Sequence, residues 1–575
     1  MVTLTIDNKT VRVAEGTTIM DAAKTIGINI PSLCAMDEID HHPGACRICV
    51  VEVLRSRNLV ASCVYPVAEG MKVMTNSPRV RKARRGIVEF LLSDHPQDCT
   101  LCQKNGQCEL QALAKQIGIH AIRVPQTQFT SLKHDVSSPA LVRDPAKCIN
   151  CLRCVKVCAD IQCVELLAPA NRGFESRVVP AMAADLIDSA CTFCGQCATV
   201  CPTGAIVEKD DTQKVFEALD NPNLHVIVQE APAIRASLGE EFDMPPGSLV
   251  TGKMITALRL LGFDRVFDTN FAADLTIIEE GNELLHRVKT GGTLPMITSC
   301  SPGWIKYIEH FYPELLSHVS TCKSPQQMFG AIAKTYYARW AGIDPASMYV
   351  VSIMPCTAKK YEASRPEMNS SGYRDVDAVL TTRELARMIK MAGIDFAHLE
   401  DSDYDAPMGQ YTGAATIFGA TGGVMEAAVR TVYEVVTGQT MPNLNLTAVR
   451  GLEGVKEAEL TVGNLGTVRT AVAHGLGNAK KLLDKIVDGT ANFHFIEIMT
   501  CPGGCVGGGG QPLPITNAKR LARAAALYTD DAAVQKIRKS HENPAIKTLY
   551  QEFLKEPLGE LSHKYLHTHY VARGL

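Results

Sequence analysis

The chain has 575 residues, 46% hydrophobic and 21% charged, with a net charge of −3. That length calls for several cores rather than one. The near-neutral balance gives no electrostatic pull toward nucleic acid or an anionic membrane. No run of about 18 apolar residues occurs, and the opening MVTLTIDNKTVRV alternates instead of forming an apolar signal core, so the expected location is the cytoplasm, with no membrane contact.

Cysteine usage is the outlier, with 21 in all and sixteen of them before residue 202. In a long chain read as cytoplasmic, clustered Cys-x2-Cys spacings point to metal sites rather than disulfides. Residues 1–77 read as a β-rich domain: VTLTIDNKTVRV as a hairpin, GTTIMDAAKTIG as a helix, then Cys34, Cys46, Cys49 and Cys63 in a 2Fe–2S ferredoxin-like arrangement with a longer first gap than the plant pattern. Residues 78–120 hold a basic helix, RVRKARRGIVEFLLSDH, and then His95, Cys99, Cys102 and Cys108. Three thiolates need a fourth ligand, and imidazole at His95 can supply it to iron.

Residues 138–208 carry the most regular pattern. Cys148, Cys151, Cys154 and Cys158 form one C-x2-C-x2-C-x3-C run; Cys191, Cys194, Cys197 and Cys201 form another, followed by Pro202. In the two-cluster bacterial ferredoxin pattern the fourth cysteine of each run serves the other cluster. The expected 4Fe–4S sets are therefore Cys148, Cys151, Cys154 and Cys201, and Cys191, Cys194, Cys197 and Cys158. Cys163 is left over as expected buried filler.

From residue 209 to 515 short apolar runs (HVIVQE, RVFDT, LPMITSC, MYVVSIMPC, DAVLTT, FHFIEIMTC) alternate with amphipathic helices such as TGKMITALRLLGF and TTRELARMIKMAG. This predicts an α/β domain with parallel sheets flanked by helices. Three of the strands run into Cys300, Cys356 and Cys501, and ligands of open parallel sheets gather at carboxyl ends, so these three are expected to converge. Cys505 follows in CPGGCVGGGGQP, whose glycines allow close backbone approach. Cys322 is expected to have no partner. No dinucleotide fingerprint or P-loop is present, so any pyridine nucleotide or flavin site belongs to another subunit.

TSCSPGW (298–304), MPCTAKKYE (354–362) and EIMTCPGGCVGGGGQP (497–512), in this order behind ferredoxin modules, resemble the three signatures of FeFe hydrogenases, and RKSHEN (538–543), within the tail 516–575, resembles their small-subunit tail. The first 200 residues also resemble the large iron–sulfur subunit of complex I and of some formate dehydrogenases. The resemblance implies interconversion of H2 with protons and electrons. It also implies an H-cluster, a 4Fe–4S cubane joined to a two-iron unit with CO, cyanide and azadithiolate. Three accessory 4Fe–4S clusters and one 2Fe–2S cluster would pass electrons to ferredoxin, or to flavin- and NAD(P)-binding partner subunits, and maturation proteins would insert the two-iron unit. The alternatives are a non-catalytic electron-transfer subunit or an H2-sensing relative.

Carried over by motif, Cys356, Cys501 and Cys505 would hold the cubane, Lys359 would face a cyanide and Glu362 would orient Lys359. Met354, Met499, Phe418 and Gln326 would surround the site. Cys300 would relay protons through Glu280, Glu283 and Ser320. Two departures stand out. Ser301 occupies the position where the family has a second cysteine, leaving Ser301 as an oxygen ligand, Cys300 as its replacement, or a weakened site as alternatives. Ala233 stands where many relatives have serine. The basic helix is expected to dock an acidic partner.

Overall fold

The computed structural model describes residues 1–126, 133–463 and 466–574, folded into two compact units. One comprises residues 1–160, 165–189 and 200–207; the other comprises 161–164, 190–199 and 208–575.

In the first unit β1 (Val2–Ile6) and β2 (Lys9–Val13) form the expected hairpin, with Asp7 and Asn8 at positive φ in its turn. Helix α1 (Ile19–Thr25) starts on Thr18, whose side chain accepts from the Asp21 N–H. With β3 (Val50–Val53), β4 (Val60–Ala61) and β5 (Lys72–Met74) they make a five-stranded sheet in the order β2-β1-β5-β3-β4 around Leu4, Ile6, Ile19, Val51 and Val73. The basic run becomes α2 (Pro78–Ser93), capped by Ser77. Arg84 does not serve as surface charge: it donates to the carbonyls of Ile48 (3.0 Å) and Val50 (2.9 Å). After α3 (Glu109–Ile117) come two small pairs, β6 (Leu141–Arg143) with β9 (Ile206–Glu208), and β7 (Leu167–Ala170) with β8 (Arg177–Pro180).

The second unit holds two four-stranded sheets. One orders β11 (Arg265–Asp268), β10 (His225–Glu230), β13 (Met348–Met354) and β14 (Ala378–Thr381), parallel throughout. Its strands are buried on both faces, which explains their continuous apolar reading. The other orders β12 (Met296–Ile297), β17 (Phe495–Met499), β16 (Thr467–His474) and β15 (Val455–Thr461). There β15 and β16 form an antiparallel hairpin that the sequence reading passed over, because VKEAELT alternates with exposed charges and offers no buried run.

Helices α4 (Thr251–Leu260), α5 (Thr269–Thr290), α6 (Pro302–Phe311), α7 (Ala358–Ser364) and α8 (Thr382–Met391) flank the sheets. The last opens with a complete capping box between Thr381 and Glu384. The C-terminal stretch includes α9 (Asn517–Thr529) and α10 (Glu560–Leu566). Among the described residues no helix is long and apolar enough to cross a membrane.

Candidate active site

Strands of both sheets end at one cavity of about 700 Å³. Its lining includes Ala231 and Pro232 after β10, Thr269 after β11, Cys300 and Ser301 after β12, Met354 to Cys356 at the end of β13, and Met499 to Cys501 at the end of β17. Gln326, Lys359, Phe418, Gly504 and Cys505 complete the wall. The carboxyl-end rule thus brings Cys300, Cys356 and Cys501 together, although they derive from two sheets.

Burial pushes the Cys356 thiol up, pushes Cys505 up to about 12 and Cys501 well above the ordinary thiol value; the last two also feel the charge of Cys356. Three buried sulfurs facing one another are costly as bare thiolates. A soft, multiply cationic iron–sulfur group is what such a set suits, so the residues fit the cubane expected there. The glycines make room: a Cβ on Gly508 would sit 2.1 Å from the Pro355 carbonyl oxygen, and Gly504 has φ +88° with its Cβ position 2.7 Å from the Thr421 nitrogen.

Ser301 is the N-cap of α6, yet its side chain makes no capping bond. Its hydroxyl is turned to Thr500 instead, 2.7 Å from that hydroxyl and accepting from the Thr500 N–H at 3.2 Å. Lys359 Nζ donates to Glu362 Oε2 (2.9 Å) and to the Cys300 carbonyl (3.1 Å). The same carboxylate oxygen accepts from Ser324 (2.9 Å) and from Gln326 Nε2 (3.0 Å). One ammonium group is thereby held at the cavity wall by a satisfied polar network. Met354, Met499 and Phe418 supply apolar wall. Ala233 is fully buried and packed toward Gly419, where an added Cβ would meet it at 3.3 Å. Thr500, Ser324 and Thr269 were missed, since a lone hydroxyl residue carries no motif.

Glu280 and Glu283 stand one turn apart on α5. Neither oxygen of Glu280 has a hydrogen bond of ordinary length, and burial, then the charge of Glu283, pushes its carboxyl up to about 8. The Cys300 thiol is pushed well up by burial and then by Glu280, with Lys359 pulling the other way. Glu283 accepts from Ser320 (2.7 Å) and from Arg287 (2.6 Å), whose side chain is 12% exposed. Cys322, expected to stand alone, points at Glu283 Oε2 at 3.8 Å. Cys163, expected as buried filler, is only half-buried.

The remaining cysteines gather in smaller groups. Cys49 and Cys63 are 3.5 Å apart, and the N–H groups of Leu33 and Cys46 donate to the sulfurs of Cys46 and Cys34, both at 3.4 Å. Cys34 and Cys49 are pulled down by the thiols of Cys46 and Cys63, which are themselves pushed up, the response of sulfurs sharing one site. His95 is buried with Nδ1 unbonded, and burial followed by Lys147 lowers its pKa to about 4, so it is neutral as a ligand must be. Cys102 lies against Gly204, and Cys108 feels the charges of Cys102 and Cys99. Cys148, Cys151, Cys154 and Cys201 line a single cavity of about 430 Å³.

In the second unit Cys191, Cys194 and Cys197 pack beside the large cavity: Lys306 donates to the Cys191 carbonyl (2.7 Å), Thr357 to the Phe193 carbonyl (2.7 Å), and the Cys194 charge reaches Cys501. Cys158, the fourth residue of that expected set, belongs to the other unit.

Residues 224–509 match the family described as iron only hydrogenase large subunit, C-terminal domain, and 517–573 match iron hydrogenase small subunit. Residues 1–78 match a 2Fe-2S iron-sulfur cluster binding domain, 84–123 the NADH-ubiquinone oxidoreductase-G iron-sulfur binding region, and 126–205 a 4Fe-4S dicluster domain. The chain is 53% identical to the NADP-reducing hydrogenase subunit HndD of Solidesulfovibrio fructosivorans, over 100% of this chain and 99% of that one. The chain belongs to the iron-only, or FeFe, hydrogenases.

This hydrogenase is also 41% identical to iron hydrogenase 1 of Clostridium pasteurianum, over 99% of this chain and 100% of the relative. A solved variant of the FeFe hydrogenase HydA1 from Chlamydomonas reinhardtii superposes with a TM-score of 0.58 at 45% identity, covering 64% of this hydrogenase and all of that chain. The hydrogenase is a catalytic subunit with 2Fe–2S and 4Fe–4S cluster domains ahead of its H-cluster domain.

Proposed function

We propose that Cys356, Cys501 and Cys505 hold the cubane of the H-cluster, with Ser301 as the fourth contact, and that Cys300, Glu280, Ser320 and Glu283 carry protons between it and solvent. When bound, the H-cluster supplies the redox-active iron site at which H2 is formed or cleaved. The observation that carries this reading is the convergence of these three cysteines, Cys300, Ser301 and Lys359 on one cavity.

The chain's own residues then divide the work. Met354, Met499 and Phe418 keep the cavity apolar, which strengthens every charge interaction inside it. Lys359 presents a cation fixed by Glu362, suited to an anionic cyanide. Cys300, kept a neutral thiol, holds a proton at Sγ. Glu280, protonated below about pH 8, replenishes it, and Ser320 and Glu283 pass protons on toward Arg287 at the surface.

Cys191, Cys194 and Cys197, whose turn packs on the Thr357 loop, would hold a cluster that supplies electrons to the cavity. The full complement is three accessory 4Fe–4S clusters, at His95/Cys99/Cys102/Cys108 and at the two ferredoxin sets, and one 2Fe–2S cluster at Cys34/Cys46/Cys49/Cys63. A relative named as an NADP-reducing hydrogenase subunit, matched end to end, and the absence of a nucleotide fingerprint in this sequence favour flavin- and NAD(P)-binding partner subunits, with ferredoxin as the alternative.

The test is H2 evolution from reduced methyl viologen by anaerobically matured protein, alongside Ser301→Cys. Activity in both, with a changed cubane EPR spectrum in the variant, is the expected result. An unchanged spectrum would remove Ser301 from the iron; inactivity of both with full cluster loading would overturn the site.

A further inference from the structure

The two cysteine runs of the ferredoxin stretch wrap alike, with left-handed residues at matching places. These are Asn150 (φ 51°) and Leu152 (φ 64°) in the first run, and Phe193 (φ 55°) and Gly195 (φ 71°) in the second. The first run lines the cavity of Cys148, Cys151 and Cys154, so the second has a backbone shape suited to the same iron–sulfur group. Helix α6 sets a lysine against that second turn. Lys306 is 3% exposed. Its Nζ donates to the Cys191 carbonyl at 2.7 Å and lies 4.1 Å from the centre of the Phe193 ring and 5.4 Å from that of Tyr361 on α7. A carbonyl oxygen and two ring faces form a receptacle for an ammonium ion. The rings are themselves fixed: their centres are 5.0 Å apart, and the Phe193 carbonyl accepts from the Thr357 hydroxyl. Glu309, the acid one turn further along α6, is already neutralised by Arg365 (3.0 and 2.6 Å) and Arg573 (2.7 Å).

We infer that Lys306 is a fixed cation that raises the reduction potential of the cluster held by Cys191, Cys194 and Cys197, so that this cluster keeps an electron ready beside the large cavity. The inference rests on the reading above that these cysteines hold a 4Fe–4S cluster. On reduction that cluster gains one electron, given up by a neighbouring cluster or a redox mediator, and with it one unit of negative charge. A buried cation stabilises the reduced form over the oxidised one, and net charge near a cluster is one of the factors that set its potential. Burial at Lys306 keeps solvent and salt from screening the effect. The same helix starts on Ser301 at the wall of the large cavity, so α6 joins that wall to the cation beside the electron route.

The anaerobic holoenzyme is poised with mediators over a series of potentials and frozen, and the accessory clusters are read by EPR; Cys194→Ala identifies the signal of this cluster by its loss. Lys306→Met and Lys306→Gln should lower the ratio of reduced to oxidised cluster at a fixed potential at least tenfold, about 59 mV for one electron, and leave the other accessory signals within about twofold. Lys306→Arg keeps the charge and should stay within about threefold of wild type. An unchanged ratio in both neutral variants, with iron content complete, would overturn the tuning role while leaving the cluster in place. Loss of the signal in both neutral variants would make Lys306 a structural support of the turn and likewise overturn the tuning role. Survival of every accessory signal in Cys194→Ala would overturn the cluster assignment, and the inference with it.

Discussion

The two large cysteine-lined cavities solve different problems with the same side chain. The cavity of Cys148, Cys151, Cys154 and Cys201 draws three of its cysteines from a single turn-rich stretch, and its walls are otherwise largely apolar (Ile149, Leu152, Val178, Ile206). The cavity of Cys356, Cys501 and Cys505 draws on the ends of strands from two sheets, and it adds Lys359 at the wall and Glu280 behind Cys300. A site that passes only electrons needs a cage. One that also moves protons needs extra space, a fixed cation and a buried acid whose proton is available near neutral pH.

The sharpest way to break this contrast is to remove one cysteine from each cavity. Cys505→Ala should lower methyl-viologen-coupled H2 evolution by about a thousandfold or more, since it takes a proposed ligand from the large cavity. Cys151→Ala should remove one accessory cluster signal from the EPR spectrum and leave viologen activity within roughly tenfold of wild type. Equal losses would mean that the two cavities do not differ in kind.

Glu280→Gln comes next. Removing a positioned proton-transfer acid should cost roughly 10²-fold in turnover and abolish the alkaline fall near pH 8 expected of wild type. The same residue has a stability signature. Its folded-state pKa is raised above the ordinary carboxyl value, so its contribution to folding is complete below that value and is lost as pH rises through about 8. Thermal melts should therefore show a smaller decline from pH 6 to 9 in Glu280→Gln than in wild type. The smallest effect is expected for Glu362→Gln, which keeps the shape but loosens Lys359. About tenfold lower activity, with the cubane signal retained, would identify Glu362 as a positioning residue; loss of the cubane would make its role structural instead.

Much of this molecule was legible because iron–sulfur ligation is written in short spacings. The ferredoxin runs, the hairpin of β1 and β2, and the parallel strands could be read directly, since each depends on neighbours within a dozen residues. The contact of Cys322 was missed for the opposite reason. Whether a cysteine meets a partner 39 residues away on α5 depends on packing that no local pattern encodes. Ser301 shows both limits. Its place in TSCSPGW marks it from sequence, but its hydroxyl meets Thr500 199 positions later, and only that contact explains why it forgoes the capping bond its position at the start of α6 invites.

By itself the sequence determined the 2Fe–2S and 4Fe–4S modules, the α/β alternation and the order of the modules, because spacing and periodicity act over a few residues. Tertiary structure decided that two sheets rather than one supply the cavity, and that Glu280 sits buried without an ordinary hydrogen bond. It also decided that the C-terminal segment locks His567 beside Cys322. Those outcomes come from burial and from pairing between segments hundreds of residues apart, where desolvation and close packing, not local propensity, set the free energy.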